Sequence, residues 1–259
     1  MSGRIEYKYL APTALLERIR ADILPYVSLD EPPVTPSSAE YTVRSVYYDT
    51  PRFDCYEEKA DGLKMRSKFR VRGYGRRRTD SLVFLEIKRK CENFIKKHRA
   101  PLLHSDLDAF FASRDIDRYI IAMSGTDLER SDAVRFLYHY GRHGIRPAVL
   151  VVYDREAFFG KFDSSLRVTF DKNIRGALFP SLEALYDEDR LQRVMPHHFV
   201  LEVKFFRCAL PAWVQSLVKR YELQRLALSK YAMCLESGAG DESSWEMRRR
   251  SFASARNTA

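Results

Sequence analysis

Three segments of this chain alternate charge with hydrocarbon in a pattern suited to holding an anion: Lys68-Phe-Arg-Val-Arg72, Phe84-Leu-Glu-Ile-Lys-Arg-Lys90 and Leu201-Glu-Val-Lys204. Side chains two apart on an extended strand share a face, so Lys68, Arg70 and Arg72 stand together in front of Phe69 and Val71. Glu86, Lys88 and Lys90 align in front of Leu85 and Ile87, and Glu202 and Lys204 in front of Leu201, Val203 and Phe205. The same spacing sets Arg4 with Glu6 and Lys8, Tyr153 with Arg155, and Arg167 with Thr169 and Asp171. For any one strand the ordinary reading is a solvated face. Repeated on nearly every strand, cations on neighbouring strands repel one another unless something anionic lies between them. Phosphate fits, because an arginine fork donates two parallel hydrogen bonds to its oxygens while lysine acts as a mobile point charge.

The few carboxylates on these faces suggest a second component. Glu202, with Glu86 and Glu6 as further candidates, offers the hard oxygen ligand that Mg²⁺ or Mn²⁺ favours and commonly shares with a phosphate. An ion pair with a neighbouring Lys or Arg is the alternative at each. Histidine contributes little: His197 and His198 are adjacent, and His139 and His143, at helical spacing, lack a third ligand and read as surface or helix-end residues. No Walker loop or kinase motif set occurs, yet phosphoryl transfer needs positioning and charge neutralisation more than covalent machinery. Arg76-Arg-Arg78 reads as a solvated turn between two strands, with the gathering of a long polyanion as a secondary expectation.

Such faces need a sheet to carry them. Strand-like runs fall at Arg4–Leu10, Thr42–Asp49, Ser67–Tyr74, Leu82–Lys90, Ala148–Phe159, Leu166–Asp171 and Phe199–Phe206. Their period of two, without regular βαβ alternation, predicts antiparallel pairing. Apolar spacing predicts helices over Pro12–Val27, Asp106–Met123, Asp127–Tyr140, Ser181–Leu191 and Ala212–Leu235, with Trp213, Leu217 and Tyr221 as core packing. Ser28–Glu40, holding three prolines, is expected to be loop, and the segment from Glu236 onward, with Arg248-Arg249-Arg250, a mobile tail. The expected class is α+β: an antiparallel β-barrel tunnel with charge inside and helices packed outside.

Composition narrows the partners. At 259 residues, 45% hydrophobic and 31% charged, the chain is expected to form one globular domain with a short tail. No apolar run approaches the roughly 20 residues that span a bilayer, and the charged start lacks the core of a secretory signal, so a cytoplasmic protein without membrane insertion is expected. Four scattered cysteines, Cys55, Cys91, Cys208 and Cys234, suggest neither a disulfide framework nor a zinc site. A net charge of +9 favours a polyanionic partner, and the scarcity of aromatics on the charged faces argues against nucleic acid.

At these residues the sequence resembles the VTC domain, a polyphosphate polymerase module within the CYTH-like group of triphosphate tunnel metalloenzymes. The resemblance is carried in order by Glu6-Tyr-Lys8, Ser45-Val-Tyr-Tyr-Asp49, Phe69-Arg-Val-Arg-Gly-Tyr74, Phe84-Leu-Glu-Ile-Lys88, Lys97 with Arg99, Tyr153-Asp-Arg155, Leu166-Arg-Val-Thr-Phe-Asp171, Leu201-Glu-Val-Lys204 and Ser229-Lys-Tyr231. It implies a tunnel domain over residues 1–236, with 237–259 as a flexible tail. It also implies transfer of the γ-phosphoryl group of ATP to a growing inorganic polyphosphate chain, with a divalent metal, Mn²⁺ or Mg²⁺. Carried over by position, Arg70, Arg72, Lys88, Arg155 and Arg167 would form the catalytic grip on the triphosphate. Lys8, Lys68, Lys90, Lys97, Lys204, Ser229 and Lys230 would complete the substrate-binding wall, and Glu202 would hold the metal. Without the resemblance, Lys230 reads as a solvated helix lysine.

Two departures bear on the activity. Triphosphatases of the wider group begin with Glu-x-Glu-x-Lys, whereas Arg4 occupies the first position here, which favours a polymerase over a hydrolase. Eukaryotic polymerases of this type carry an inositol-phosphate sensing domain and membrane helices, and neither is read in this sequence. The competing readings are a metal-dependent triphosphatase and a non-catalytic polyanion binder.

Overall fold

The computed structural model describes residues 5–30, 40–92, 94–206 and 209–239. Arg4, the prolines before Glu40, Cys208 and the tail beyond residue 239 lie outside the described residues. In chain order the elements are β1 (Ile5–Pro12), a 3₁₀ turn (Thr13–Leu15), α1 (Leu16–Ile23), β2 (Val27–Leu29), β3 (Glu40–Asp49), α2 (Asp54–Ala60), β4 (Met65–Tyr74), β5 (Leu82–Cys91) and β6 (Phe94–Leu103). There follow α3 (Leu107–Ser113), α4 (Ile116–Tyr119), α5 (Leu128–Arg142), β7 (Arg146–Gly160), β8 (Arg167–Leu178), β9 (Gln192–Arg193), β10 (His198–Phe205), α6 (Ala212–Arg220) and α7 (Lys230–Ala239).

The strands form one sheet in the order β1-β10-β8-β7-β3-β4-β5-β6, with β2 added on β7 and β9 on β8. Pairing is antiparallel at β1–β10, β10–β8, β2–β7, β4–β5 and β5–β6, as the period of two predicts. The class is α+β. Among the described residues the hydrogen-bonded order is a path with two ends, β1 and β6, rather than the closed ring of a barrel.

The chain divides into two compact units, one of Met1–Val43, Val152–Arg175 and Arg193–Lys230, the other of Arg44–Val151, Gly176–Gln192 and Tyr231–Ala259. In the first, the residues behind the charged ones on β8 and β10, among them Val168, Phe170, Leu201, Val203 and Phe205, are buried against Ile19 and Ile23 of α1 and Val214 and Leu217 of α6. Trp213 and Tyr221 pack partly buried against this cluster, so the helical stripe is core packing. In the second unit Phe69, Val71, Leu85 and Ile87 are buried, and Phe136 of α5 meets Phe69 and Phe111 edge-on or tilted. His98 of β6 binds Asp132 of α5 at 2.6 Å, and the other Asp132 oxygen accepts the Arg99 backbone N–H at 2.8 Å, which pins that helix to the strand.

Several expected elements are corrected. Pro12–Val27 is a 3₁₀ turn and a shorter helix, followed by β2, whose edge pairing with Gly160 and Phe159 takes Val27 and Ser28 out of the expected helix and loop. Asp106–Met123 is broken, because Arg114 is left-handed (φ 59°) and Asp115 starts a new turn by accepting the Arg118 N–H at 3.0 Å. Ser181–Leu191 forms only a 3₁₀ turn at Glu183–Tyr186, with Leu185 its single buried residue. Ala212–Leu235 breaks after Arg220, where Glu222 is left-handed (φ 50°). The segment that follows lies along β1, bridging Tyr9 to Arg225 and donating the Leu226 N–H to Lys8 O at 2.9 Å. Tertiary hydrogen bonding there outweighs a helical pattern, and it satisfies part of the outer edge of β1. Three elements had no sequence counterpart: α2, the short β9, and β6, whose Lys96-Lys-His-Arg99 run masks its alternation.

Candidate functional site

In the second unit the register of β4, β5 and β6 aligns side chains in rows across three strands. Arg70, Glu86 and Arg99 form one row, Lys68, Lys88 and Lys97 the next, and Arg66, Lys90 and Ile95 the one beyond. Arg72 is buried one step in the other direction. Glu86 is the lone carboxylate in these rows, and three guanidinium groups converge on it: Arg70 Nε at 2.6 Å, Arg99 Nε at 3.4 Å and Arg72 Nε at 3.9 Å. Burial pushes the Glu86 carboxyl up, but Arg70, Arg72 and Arg99 outweigh it and hold it at about 2. The Arg99 guanidinium also stacks 3.5 Å over the Phe84 ring, which fixes its plane. The adjacent row, Lys68, Lys88 and Lys97, sets three like charges opposite one another across the three strands.

From β3, Ser45 Oγ accepts from Arg72 Nε at 3.1 Å and the Tyr47 hydroxyl accepts from Arg70 Nη1 at 3.0 Å. The Tyr47 ring stacks on Tyr231 at 5.2 Å, and the Tyr231 hydroxyl donates to Asp49 at 2.5 Å. Asp49 also accepts the backbone N–H groups of Thr50, Cys55 and Tyr56 at 2.7, 2.9 and 3.1 Å, tying the end of β3 to the start of α2 and to α7. Burial raises the Tyr47 phenol, yet the combined pull of Arg70, Arg72 and Lys68 brings it down to about 7.

That shift has a sign. Below pH 7 Tyr47 is a neutral phenol and the cluster keeps its full positive charge; above it, the phenolate cancels part of the charge. An anion therefore prefers the protonated form, and affinity for inorganic triphosphate falls as pH rises through about 7. In Tyr47→Phe this step is expected to vanish, leaving only the titration of triphosphate itself, as calorimetry from about pH 6 to pH 9 would register. Identical pH profiles in the two proteins would remove Tyr47 from the titrating set.

The first unit carries a different network, in which cations and carboxylates alternate. The register sets Lys8 opposite Glu202 and Glu6 opposite Lys204, then Glu202 opposite Thr169 and Lys204 opposite Arg167. Lys8 Nζ lies 2.9 Å from Glu6 and 3.8 Å from Glu202, and donates to Leu228 O at 3.2 Å. Glu202 is also ion-paired with Lys204. Asp171, fully buried, accepts from Arg155 Nε and Nη2, at 2.6 and 2.8 Å, and pairs with Lys230 Nζ at 2.5 Å. Arg155 and Lys230 both lie over the Tyr153 ring, at 5.2 and 4.7 Å. Arg167 binds Asp30 at 2.6 Å.

Charge compensation here is tight. Burial raises Glu202, but Lys204, Lys8, Lys230 and Arg155 hold it well below the usual carboxylate range. Burial also raises Asp171, and Arg155 and Lys230 return it to about 2. Lys204 is lowered to about 8 by burial, against the pull of Glu202 and Glu6. Two polar atoms on this face, Arg167 Nε and Thr169 Oγ1, are buried without a hydrogen-bond partner. Orphaned donors beside cations are what a phosphate oxygen would satisfy.

The structure thus places Lys68, Arg70, Arg72, Lys88, Lys90 and Lys97 on one charged face of the second unit, with Lys90 toward the far end of β5. Lys8, Arg155, Arg167, Glu202, Lys204 and Lys230 fall in the network of the first, and Ser229 is buried beside Lys230. Glu86 and Glu6 are engaged in ion pairs, the alternative to metal binding. Sequence reasoning missed Tyr47 and the pairing role of Asp171. Period-two alternation of Ser45, Tyr47 and Asp49 along β3 would have exposed the first.

Glu202 fits a divalent cation only in part. Among the described residues no group of three His, Cys, Asp or Glu side chains could hold a metal unaided. A single buried carboxylate beside the orphaned Thr169 hydroxyl suits an ion that arrives with phosphate oxygens as its other ligands.

The long antiparallel strands of this α+β fold carry Arg, Lys and Glu on one face and hydrocarbon on the other. The family is shown directly: the VTC domain model matches residues 3–238, and the chain belongs to that family. No curated protein gives a significant match. Among solved structures, the PH1819 protein from Pyrococcus horikoshii OT3 aligns over 90% of this chain and 99% of its own, at 11% identity and TM-score 0.46. A putative adenylyl cyclase from Hippeastrum, HpAC1, described as having a dominant triphosphatase activity, aligns over 90% of this chain and 96% of its own, at 12% identity and TM-score 0.45. No helix among the described residues is long and apolar enough to cross a membrane.

Proposed function

We propose that residues 1–236 act as a polyphosphate polymerase, transferring the γ-phosphoryl group of ATP to an inorganic polyphosphate chain and releasing ADP. The observation that carries this reading is the Lys68–Lys88–Lys97 row beside the arginine cluster, in a chain whose residues 3–238 match the VTC domain. A transferring phosphoryl group spreads negative charge over its equatorial oxygens, and preorganised cations stabilise that charge without reorganising. Arg70, Arg72 and Lys88 supply such donors in the second unit. Arg155, Lys8, Lys204 and Lys230, held in place by Asp171 and Glu202, supply them in the first. A divalent metal, Mn²⁺ or Mg²⁺, bound at Glu202 would neutralise phosphate charge as a Lewis acid.

A metal-dependent triphosphatase would use the same donors with water as the acceptor. Purified protein is incubated with ATP, and separately with inorganic triphosphate, in the presence of Mn²⁺ or Mg²⁺. The polymerase reading expects a ladder of chains digested by exopolyphosphatase, with ADP formed in step. Free phosphate without chains would replace it by hydrolysis, and no turnover of either substrate would leave a polyanion binder.

A further inference from the structure

The far end of β4, β5 and β6 combines exposed hydrocarbon with positive charge. Met65 and Phe94 are 63% and 68% exposed, and Leu63 and Ile95 are 48% and 39% exposed. The register places Met65, Cys91 and Phe94 as cross-strand neighbours, one exposed apolar row across three strands, while Ile95 lies on the other face, across from Lys90. Single exposed apolar residues are ordinary, whereas a contiguous row at the end of a sheet marks a contact surface. The Glu92 N–H bonds to Lys64 O at 3.0 Å, which ties the turn after β5 to the start of β4 and holds the row together.

Cations surround this row. The adjacent row on the same face pairs Arg89 with Lys96, the opposite face carries Arg66 and Lys90, and Lys64 stands at the tip with its side chain 83% exposed. Against them stand Glu92, 3.9 Å from Lys64, and Glu58, whose carboxylate accepts the Ser67 N–H at 3.1 Å in the Arg89–Lys96 row. Neither a phosphate chain nor a second copy accounts for the combination. Phosphates gain nothing from Met65 and Phe94, and two such tips would bring like charges together. An anionic lipid surface accounts for both parts: hydrocarbon enters the boundary of the acyl region while Lys and Arg stay among negatively charged headgroups.

We propose that the β4–β5–β6 tip, through Met65, Phe94 and Ile95 with the surrounding Lys64, Arg66, Arg89 and Lys96, docks this protein on an anionic lipid bilayer. Docking is peripheral, and it does not depend on whether the phosphate site polymerises or hydrolyses.

Sedimentation of the full chain with large unilamellar vesicles tests it without nucleotide. One set is phosphatidylcholine alone, and the other contains about 30% phosphatidylserine. Binding is expected to the anionic vesicles only, and to weaken when ionic strength rises from about 0.05 to about 0.5 M. In Met65→Ser/Phe94→Ser it should fall at least tenfold, and in Lys64→Glu/Arg89→Glu comparably, with melting temperature and triphosphate binding unchanged in both. Equal binding to phosphatidylcholine, or vesicle binding that survives both double variants, would overturn the proposal. A dimer of the unmodified chain that becomes monomeric in Met65→Ser/Phe94→Ser would also overturn it, by showing that a second copy covers the tip.

Discussion

Arg70→Ala is expected to lower turnover by about 10²–10³-fold, because it removes the guanidinium that binds Glu86 at 2.6 Å and donates to Tyr47 at 3.0 Å. Two effects would be mixed in that loss. Glu86 would keep Arg99 and Arg72 at 3.4 and 3.9 Å but lose its shortest partner, which weakens the fold by roughly 1–3 kcal/mol. The double variant Arg70→Ala/Glu86→Gln separates them. Removing both charges of the pair should restore most of the melting temperature while turnover stays low. If the double variant recovers turnover, the single variant had lost only folding. If the single variant keeps full activity, the arginine cluster does not bind phosphate.

Replacing Glu202 by Gln is expected to cost about 10²-fold or more in turnover at every concentration of Mn²⁺ or Mg²⁺. The carboxylate has two tasks in the proposed mechanism, as anchor for the cation and as counter-ion to Lys8 and Lys204. Stability reports on the second task. In the unaltered protein burial lowers Lys204 to about 8, below its unfolded value, while Glu202 favours the charged lysine. Loss of Glu202 lowers it further, so the variant must neutralise a buried lysine that the unaltered protein keeps charged below pH 8. The deficit in melting temperature is therefore largest below about pH 8 and narrows above it, where Lys204 is neutral in both proteins. Turnover rescued by excess metal would show weakened metal affinity at Glu202. An unaltered metal dependence with full turnover would place the cation elsewhere.

Much of this was legible in the chain itself. Strand after strand, Lys68-Phe-Arg-Val-Arg72, Phe84 to Lys90 and Leu201 to Lys204 announce two faces, and the structure buries Phe69, Val71, Leu85, Ile87, Leu201 and Val203 as that alternation requires. Period two is a local property of extended backbone, so it survives without knowledge of neighbours. The helix over Ala212–Leu235 shows the opposite case, since its apolar spacing is helical but Tyr9, Lys8 and Arg225 recruit part of it to the edge of β1. Likewise Lys96-Lys-His-Arg99 hides β6, whose strand form depends on hydrogen bonds to β5 and on the buried His98–Asp132 pair.

The sequence by itself determined the class, the antiparallel strands, the set of cations and the candidate carboxylates. Only the tertiary structure decided how those charges compensate one another. Along the sequence, cations recur on nearly every strand with a few carboxylates among them. The structure instead shows a basic face in the second unit, where Glu86 stands alone among the β4–β6 rows, and an alternating network in the first, where Glu6, Glu202 and Asp171 meet Lys8, Lys204, Arg155 and Lys230. The physical reason is that a strand's face follows from its own residues, whereas the charge opposite each residue follows from register, which is set between strands far apart in sequence.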